Sequence, residues 1–124
     1  MAGEIVLIIE DDAHIAGLVA QVLREAGYAP ELMRDVGSAL AWAAQGGKPG
    51  AIISDLMVTG SSGPDLLPAE LAAAFPQVPL AIMTGVPRRR RAALGVTHDR
   101  VIEKPFEIEA LLAEVGAMLA TRSP

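Results

Sequence analysis

The stretch "IVLIIEDD" (residues 5–12) decides how this chain folds. Five apolar residues run without interruption, and four of them are β-branched. Such a run reads as a strand buried on both faces, the kind found inside a parallel sheet. Three acids follow at once, Glu10, Asp11 and Asp12. Like charges this close repel, so their place at the end of a core strand needs a reason. Asp12 has one of its own, because an Asp just before a helical pattern caps the helix. Ile15, Leu18, Val19, Val22 and Leu23 then follow the i, i+3, i+4, i+7, i+8 spacing of one helix face, and Gly27 ends the helix.

The alternation repeats along the chain. "APELM" (29–33) is a weak strand whose Pro30 suits a sheet edge, where a missing N–H is tolerated. Asp35 or Ser38 caps a second helix that runs to Gln45 and stops at Gly46 and Gly47. "AIIS" (51–54) is a third strand ending at Asp55, and "VTGSSGP" (58–64) is a loop. Leu66, Leu67, Leu71 and Phe75 mark a third helix face closed by Pro76. "LAIM" (80–83) ends at Thr84, a short helix covers 88–94, and "RVIE" (100–103) ends at Lys104. Ile108, Leu111, Leu112, Val115 and Leu119 mark the last helix. Five strands alternating with five helices predict an α/β fold, a doubly wound parallel sheet with right-handed crossovers. No repeat or linker divides the chain, so residues 1–124 are expected to form one domain.

Composition narrows the function. Of 124 residues, 52% are hydrophobic, enough for a core. Cysteine is absent, which removes disulfide and thiol chemistry. No apolar stretch approaches the roughly 20 residues of a membrane span, and the N-terminus lacks a basic region ahead of an apolar one. A soluble cytoplasmic protein is the expectation. A net charge of -5 argues against general nucleic-acid affinity.

In a doubly wound sheet, ligands bind beyond the carboxyl ends of the strands. There stand Glu10 and Asp11, Asp55, Thr84 and Lys104. Three crowded carboxylates call for a cation, and hard oxygen donors suit Mg2+, which keeps waters that a phosphate can replace. A backbone carbonyl just past Asp55 completes such a set. The Thr84 hydroxyl and Lys104 charge suit phosphoryl oxygens, and Asp55 is placed to carry an acyl phosphate. Each feature has a plainer reading taken alone: helix caps for the acids, a turn for Asp55, a helix start for "KP". The joint arrangement on consecutive strand ends favours a site.

These motifs resemble, over essentially the whole chain, the receiver domain of two-component response regulators. "IVLIIEDD" is similar to the family's acidic pair, with Glu10 and Asp11 as metal-binding acids. "IISDLM" resembles the phospho-acceptor strand, with Asp55 as acceptor and the Met57 backbone carbonyl as a metal ligand. Gly63 falls at the loop glycine before the third helix. "AIMTG" resembles the segment with the switch hydroxyl, Thr84, followed by the small residue Gly85. "EKPF" resembles the lysine segment, with Lys104 ahead of Pro105 and a commonly cis peptide between them. The resemblance implies strand order 2-1-3-4-5, a flavodoxin-like sheet. It implies Mg2+ as cofactor and a histidine kinase or histidine phosphotransfer protein as donor. Thr84 then turns inward, and the face of the fourth helix, fifth strand and fifth helix meets an output partner. The chain would be a signalling phosphoprotein, not an enzyme.

Several positions depart from the family pattern. Thr59 stands where the family usually has Pro, which predicts a more mobile loop. Val101 stands where a Tyr or Phe often acts as the rotating partner of the hydroxyl. The stretch from Thr84 to Lys104 is slightly short, so the fourth helix is expected to be stunted. Met57 and Val86 hold the positions that tune phosphoryl lifetime; both are apolar and cannot orient water, which predicts slow self-dephosphorylation. Two alternatives compete: a pseudo-receiver that binds partners without phosphorylation, and a Mg2+-dependent phosphohydrolase, which would need a general acid where Met57 stands. "PRRRR" (87–91) reads as a solvated helix start, slightly ahead of a docking site for an acidic partner, although cations there cost roughly 0.3–1 kcal/mol each. His14 reads as solvent-facing, His98 carries no signal, and Trp42 reads as a packing residue at the edge of the core.

Overall fold

The apolar run at residues 5–9 becomes the second of five parallel strands. The computed structural model describes residues 3–98 and 100–121. The strands are β1 (Ile5–Ile9), β2 (Ala29–Met33), β3 (Ala51–Asp55), β4 (Leu80–Thr84) and β5 (Val101–Glu103). The helices are α1 (Ala13–Glu25), α2 (Val36–Ala44), α3 (Leu67–Ala74), α4 (Arg88–Ala93) and α5 (Ile108–Ala120). The sheet runs β2-β1-β3-β4-β5, all parallel. Pro30 does lie on an edge strand, paired with Val6 on one side only.

Strand alternation divides the interior into two clusters. Val6, Ile8, Ile53 and Met83 face one way and pack with Leu23, Leu111 and Val115 of α1 and α5. Leu7, Ile9, Ile52 and Ile82 face the other way and pack with Val36 of α2 and Leu67 and Leu71 of α3. Each such side chain contributes roughly 1.5–3 kcal/mol by leaving water, which fixes the strand register as well as the layers.

Local signals set the helix ends. Asp12 Oδ1 accepts from His14 N at 2.9 Å and Ile15 N at 3.1 Å, the N-cap read from sequence. Asp35, not Ser38, caps α2: its Oδ1 accepts from Ser38 N at 2.7 Å. At the far end of α1, Gly27 takes φ +95°, a conformation that favours glycine. Gly27 N then donates to Arg24 O and Tyr28 N to Leu23 O, so two terminal carbonyls are satisfied.

Three expected core residues are exposed: Leu18, Leu66 and Ile108. The buried stripe of α1 is Ala16, Val19, Ala20 and Leu23, rotated toward alanines that periodicity undervalues. Leu66 precedes the first turn of α3 and so is not on its face. On α5 the stripe is Leu111, Val115 and Met118, with Ile108 at the helix start outside it. Trp42 packs at the cluster edge against Phe75, ring centroids 6.1 Å apart. The fourth helix has only six residues. No helix of the described residues is long and apolar enough to cross a membrane.

Candidate functional site

The register of β1 and β3 assembles the acids. Ile9 pairs with Ser54, so the next residue of each strand, Glu10 and Asp55, emerge side by side at the carboxyl end. Asp11 follows in the turn that leads to α1. Glu10, Asp11 and Asp55 each offer a carboxylate oxygen, and these lie within 4.8 Å of one another. Glu10 is buried while Asp11 is exposed, so the group forms a pocket open on one side.

Lys104, just after β5, enters the same pocket. Its Nζ lies 3.0 Å from Glu10 Oε1 and 3.3 Å from Asp55 Oδ1. The second oxygen of Glu10 accepts from Asp12 N at 3.1 Å. Burial pushes the Glu10 carboxyl above its usual value; the Lys104 hydrogen bond and the Asp12 N–H pull it down, and the Asp55 charge adds to the rise. Burial alone would lower Lys104, but the Glu10 hydrogen bond and the charges of Asp55 and Glu10 outweigh it, so its pKa is raised.

Three carboxylates against one ammonium leave two negative charges uncompensated. That deficit, presented by hard oxygen donors, fits a divalent cation such as Mg2+.

Thr84 ends β4 and is buried. Its Oγ1 accepts from Val86 N at 3.0 Å, and its carbonyl accepts from Lys104 N at 2.8 Å, extending the ladder that carries the lysine. Met57 is exposed, and Val86 packs at the edge of the second cluster. Gly63 has φ +137°, a conformation that strains other residues. The Lys104–Pro105 peptide is cis.

In the loop after β3, Thr59 makes two hydrogen bonds. Thr59 Oγ1 donates to Asp11 Oδ2 at 3.0 Å, and its carbonyl accepts from Val36 N at 3.0 Å. Sequence reasoning missed this hydroxyl, which touches a candidate metal ligand. It also missed His98, whose Nε2 lies 2.6 Å from Leu80 O. Of the arginine block, Arg88, Arg89 and Arg90 are exposed as expected, but Arg91 is buried. His14 is exposed.

Residues 6–116 match the family described as the response regulator receiver domain. The chain is 32% identical over 120 residues to the nitrogen assimilation regulatory protein NtrX of Azorhizobium caulinodans, covering 94% of this chain and 26% of that protein. It is 31% identical over 116 residues to the probable transcriptional regulatory protein TcrX of Mycobacterium tuberculosis, covering 92% of this chain and 49% of that protein. The chain thus spans about half, or less, of these relatives. A putative response regulator from Chloroflexus aurantiacus superposes with TM-score 0.82 at 26% identity, over 95% of this chain and 98% of that one. The receiver domain of a sensor histidine kinase from Pseudomonas aeruginosa, solved with a magnesium ion coordinated in its active site cleft, shares the fold with TM-score 0.83 at 20% identity, over 97% of this chain and 100% of that one. With its sheet order and matched length, this chain belongs to the response regulator receiver domain family of two-component signalling.

Proposed function

We propose that this chain is a phospho-accepting receiver in which Asp55 takes a phosphoryl group from a histidine kinase or histidine phosphotransfer protein in the cytoplasm. One observation carries the reading: the Lys104 ammonium bridges Glu10 and Asp55 beside a converging three-carboxylate cluster. Glu10, Asp11, Asp55 and the Met57 carbonyl would hold Mg2+. The bound ion would supply the positive charge that lets a phosphate approach three carboxylates.

This chain's own residues do the rest. An Asp55 carboxylate oxygen forms the new bond to phosphorus as the P–N bond of phosphohistidine breaks. The imidazole nitrogen leaves with the bonding pair and takes a proton from water, and Asp55 is left as an acyl phosphate. Lys104 exchanges part of its contact with Asp55 for a phosphoryl oxygen. Thr84 donates its hydroxyl hydrogen to another phosphoryl oxygen, and the face of α4, β5 and α5 changes for an output partner. Residues 1–124 act as one receiver unit. Turnover as a phosphohydrolase is disfavoured because Met57 offers no acid beside Asp55.

Intact-mass spectrometry after incubation with acetyl phosphate tests this, with and without Mg2+ and beside Asp55→Ala. One phosphoryl adduct that needs Mg2+ and vanishes in the variant is expected. No adduct on the wild-type chain, with no detectable Mg2+ binding, would replace this reading with a pseudo-receiver.

A further inference from the structure

Arg91 is the one buried member of four consecutive arginines, with its side chain 11% exposed. A buried guanidinium needs acceptors. Its Nη1 donates to Val86 O at 2.7 Å and lies 3.5 Å from Glu103 Oε2. Val86 is also the residue whose N–H holds the Thr84 hydroxyl at 3.0 Å. One side chain of α4 therefore grips, through Val86, the segment that sets Thr84. Arg91 lines the same cleft as Val101, the position where a large ring is missing. A valine leaves room there for the guanidinium stem.

Strand alternation shows which arrangement this grip favours. Thr84 leaves β4 on the side of Leu80 and Ile82, which pack toward α2 and α3. Asp55 leaves β3 on the side of Ala51 and Ile53, which pack toward α1 and α5. The hydroxyl and the acceptor carboxylate thus start on opposite faces of the sheet. A Thr84 that reaches for a phosphoryl group on Asp55 gives up the Val86 N–H bond, and the Arg91 grip on Val86 O resists any shift of that segment.

We infer that Arg91 is a positioning residue, a latch on Val86 that holds Thr84 in the unphosphorylated arrangement and opposes its movement to the phosphoryl group. The inference rests on the phospho-accepting reading of Asp55 and deepens it. An interaction made in one of two states biases their equilibrium by its differential strength, so losing the latch strengthens binding of any ligand that needs the other state.

The test uses beryllofluoride, a phosphoryl mimic, with Mg2+ on the full chain. Wild type, Arg91→Met and Arg91→Lys are compared by NMR titration. The Met variant keeps the apolar stem without donors, and the Lys variant restores a cationic donor. In Arg91→Met the Val86 carbonyl carbon signal should shift as its hydrogen bond is lost, and beryllofluoride affinity should rise by at least about fivefold. Arg91→Lys should return both toward wild type, while Mg2+ affinity stays the same in all three. Unchanged or weakened beryllofluoride affinity in a folded Arg91→Met would overturn the latch. If the wild-type chain binds no beryllofluoride, the phosphoryl reading itself falls, and the Val86 carbonyl signal still reports separately whether Arg91 grips it.

Discussion

Lys104 Nζ sits 3.0 Å from Glu10 Oε1, joining the last strand end to the first across 94 residues of chain. The carboxylate is buried and the ammonium is mostly so. Replacing Lys104 with Met leaves a buried acceptor unpaired beside two more carboxylates, a cost of roughly 1–3 kcal/mol. Thermal denaturation should show that loss without Mg2+ and a larger Mg2+ rescue than in wild type, since a competing cation is gone. Phosphorylation by acetyl phosphate should nearly cease. The raised lysine pKa sets the sign with pH: its stabilisation is fully present below the unfolded value of 10.5 and is lost as pH rises through the higher folded value. A variant that melts like wild type and still accepts phosphate would remove Lys104 from the site.

Glu10 titrates in the opposite sense to an ordinary paired carboxylate. Burial raises its folded pKa above the ordinary value of 4.5. Between those two values the folded chain holds more protons than the unfolded one, so its contribution to stability falls as pH rises through that window. A cation binds the ionised form, so Mg2+ affinity should begin to fall at a higher pH than for exposed acids as the solution is acidified from neutral toward about pH 5. Calorimetric Mg2+ titrations over that range should show it, and Glu10→Gln should bind weakly with a flatter pH dependence. Equal pH profiles for the two chains would refute the assignment.

Part of this was legible in the residues and part was not, for physical reasons. The strand at residues 5–9 and the acids after it could be read because apolar continuity ends abruptly in charge, and both depend on local order. Even the weak strand with Pro30 was placed correctly, since an edge is where proline costs least. The helix faces were rotated because Ala16 and Ala20 carry little hydrophobic signal, although both are buried. Arg91 was hidden in a run of like charges, and its acceptor is a backbone carbonyl that no side-chain pattern reveals. The bond from Thr59 to Asp11 joins residues 48 apart, and only the sheet order brings them together.

Thr59 carries a prediction of its own. Its hydroxyl fixes one oxygen of Asp11, an exposed side chain that would otherwise rotate freely. A neutral donor to a charged acceptor in this setting is worth about 1 kcal/mol. Thr59→Val keeps the shape and the Val36 N–H contact to the backbone. It should weaken Mg2+ binding by roughly two- to tenfold with little change in melting temperature, and Thr59→Ser should restore it. Isothermal titration with Mg2+ decides the matter, and a valine variant that binds as wild type does would confine Thr59 to holding the loop.

Met57 bears on how long a phosphoryl group would persist. It follows Asp55 by two residues and is 58% exposed, so a substitution there meets no packing constraint. Its thioether cannot align an attacking water. Val86, the other position beside the site, is apolar too, but its backbone holds both Thr84 and Arg91. Met57→Asn is therefore the cleaner change, because an amide could hold water in line with the Asp55–phosphorus bond. Its acyl phosphate, formed with acetyl phosphate and freed of donor, should decay at least about twofold faster than wild type by intact mass. Adding Val86→Glu should quicken decay further only if the second side chain also reaches that water. Decay as slow as wild type in both variants would mean that something other than these two apolar residues sets the lifetime.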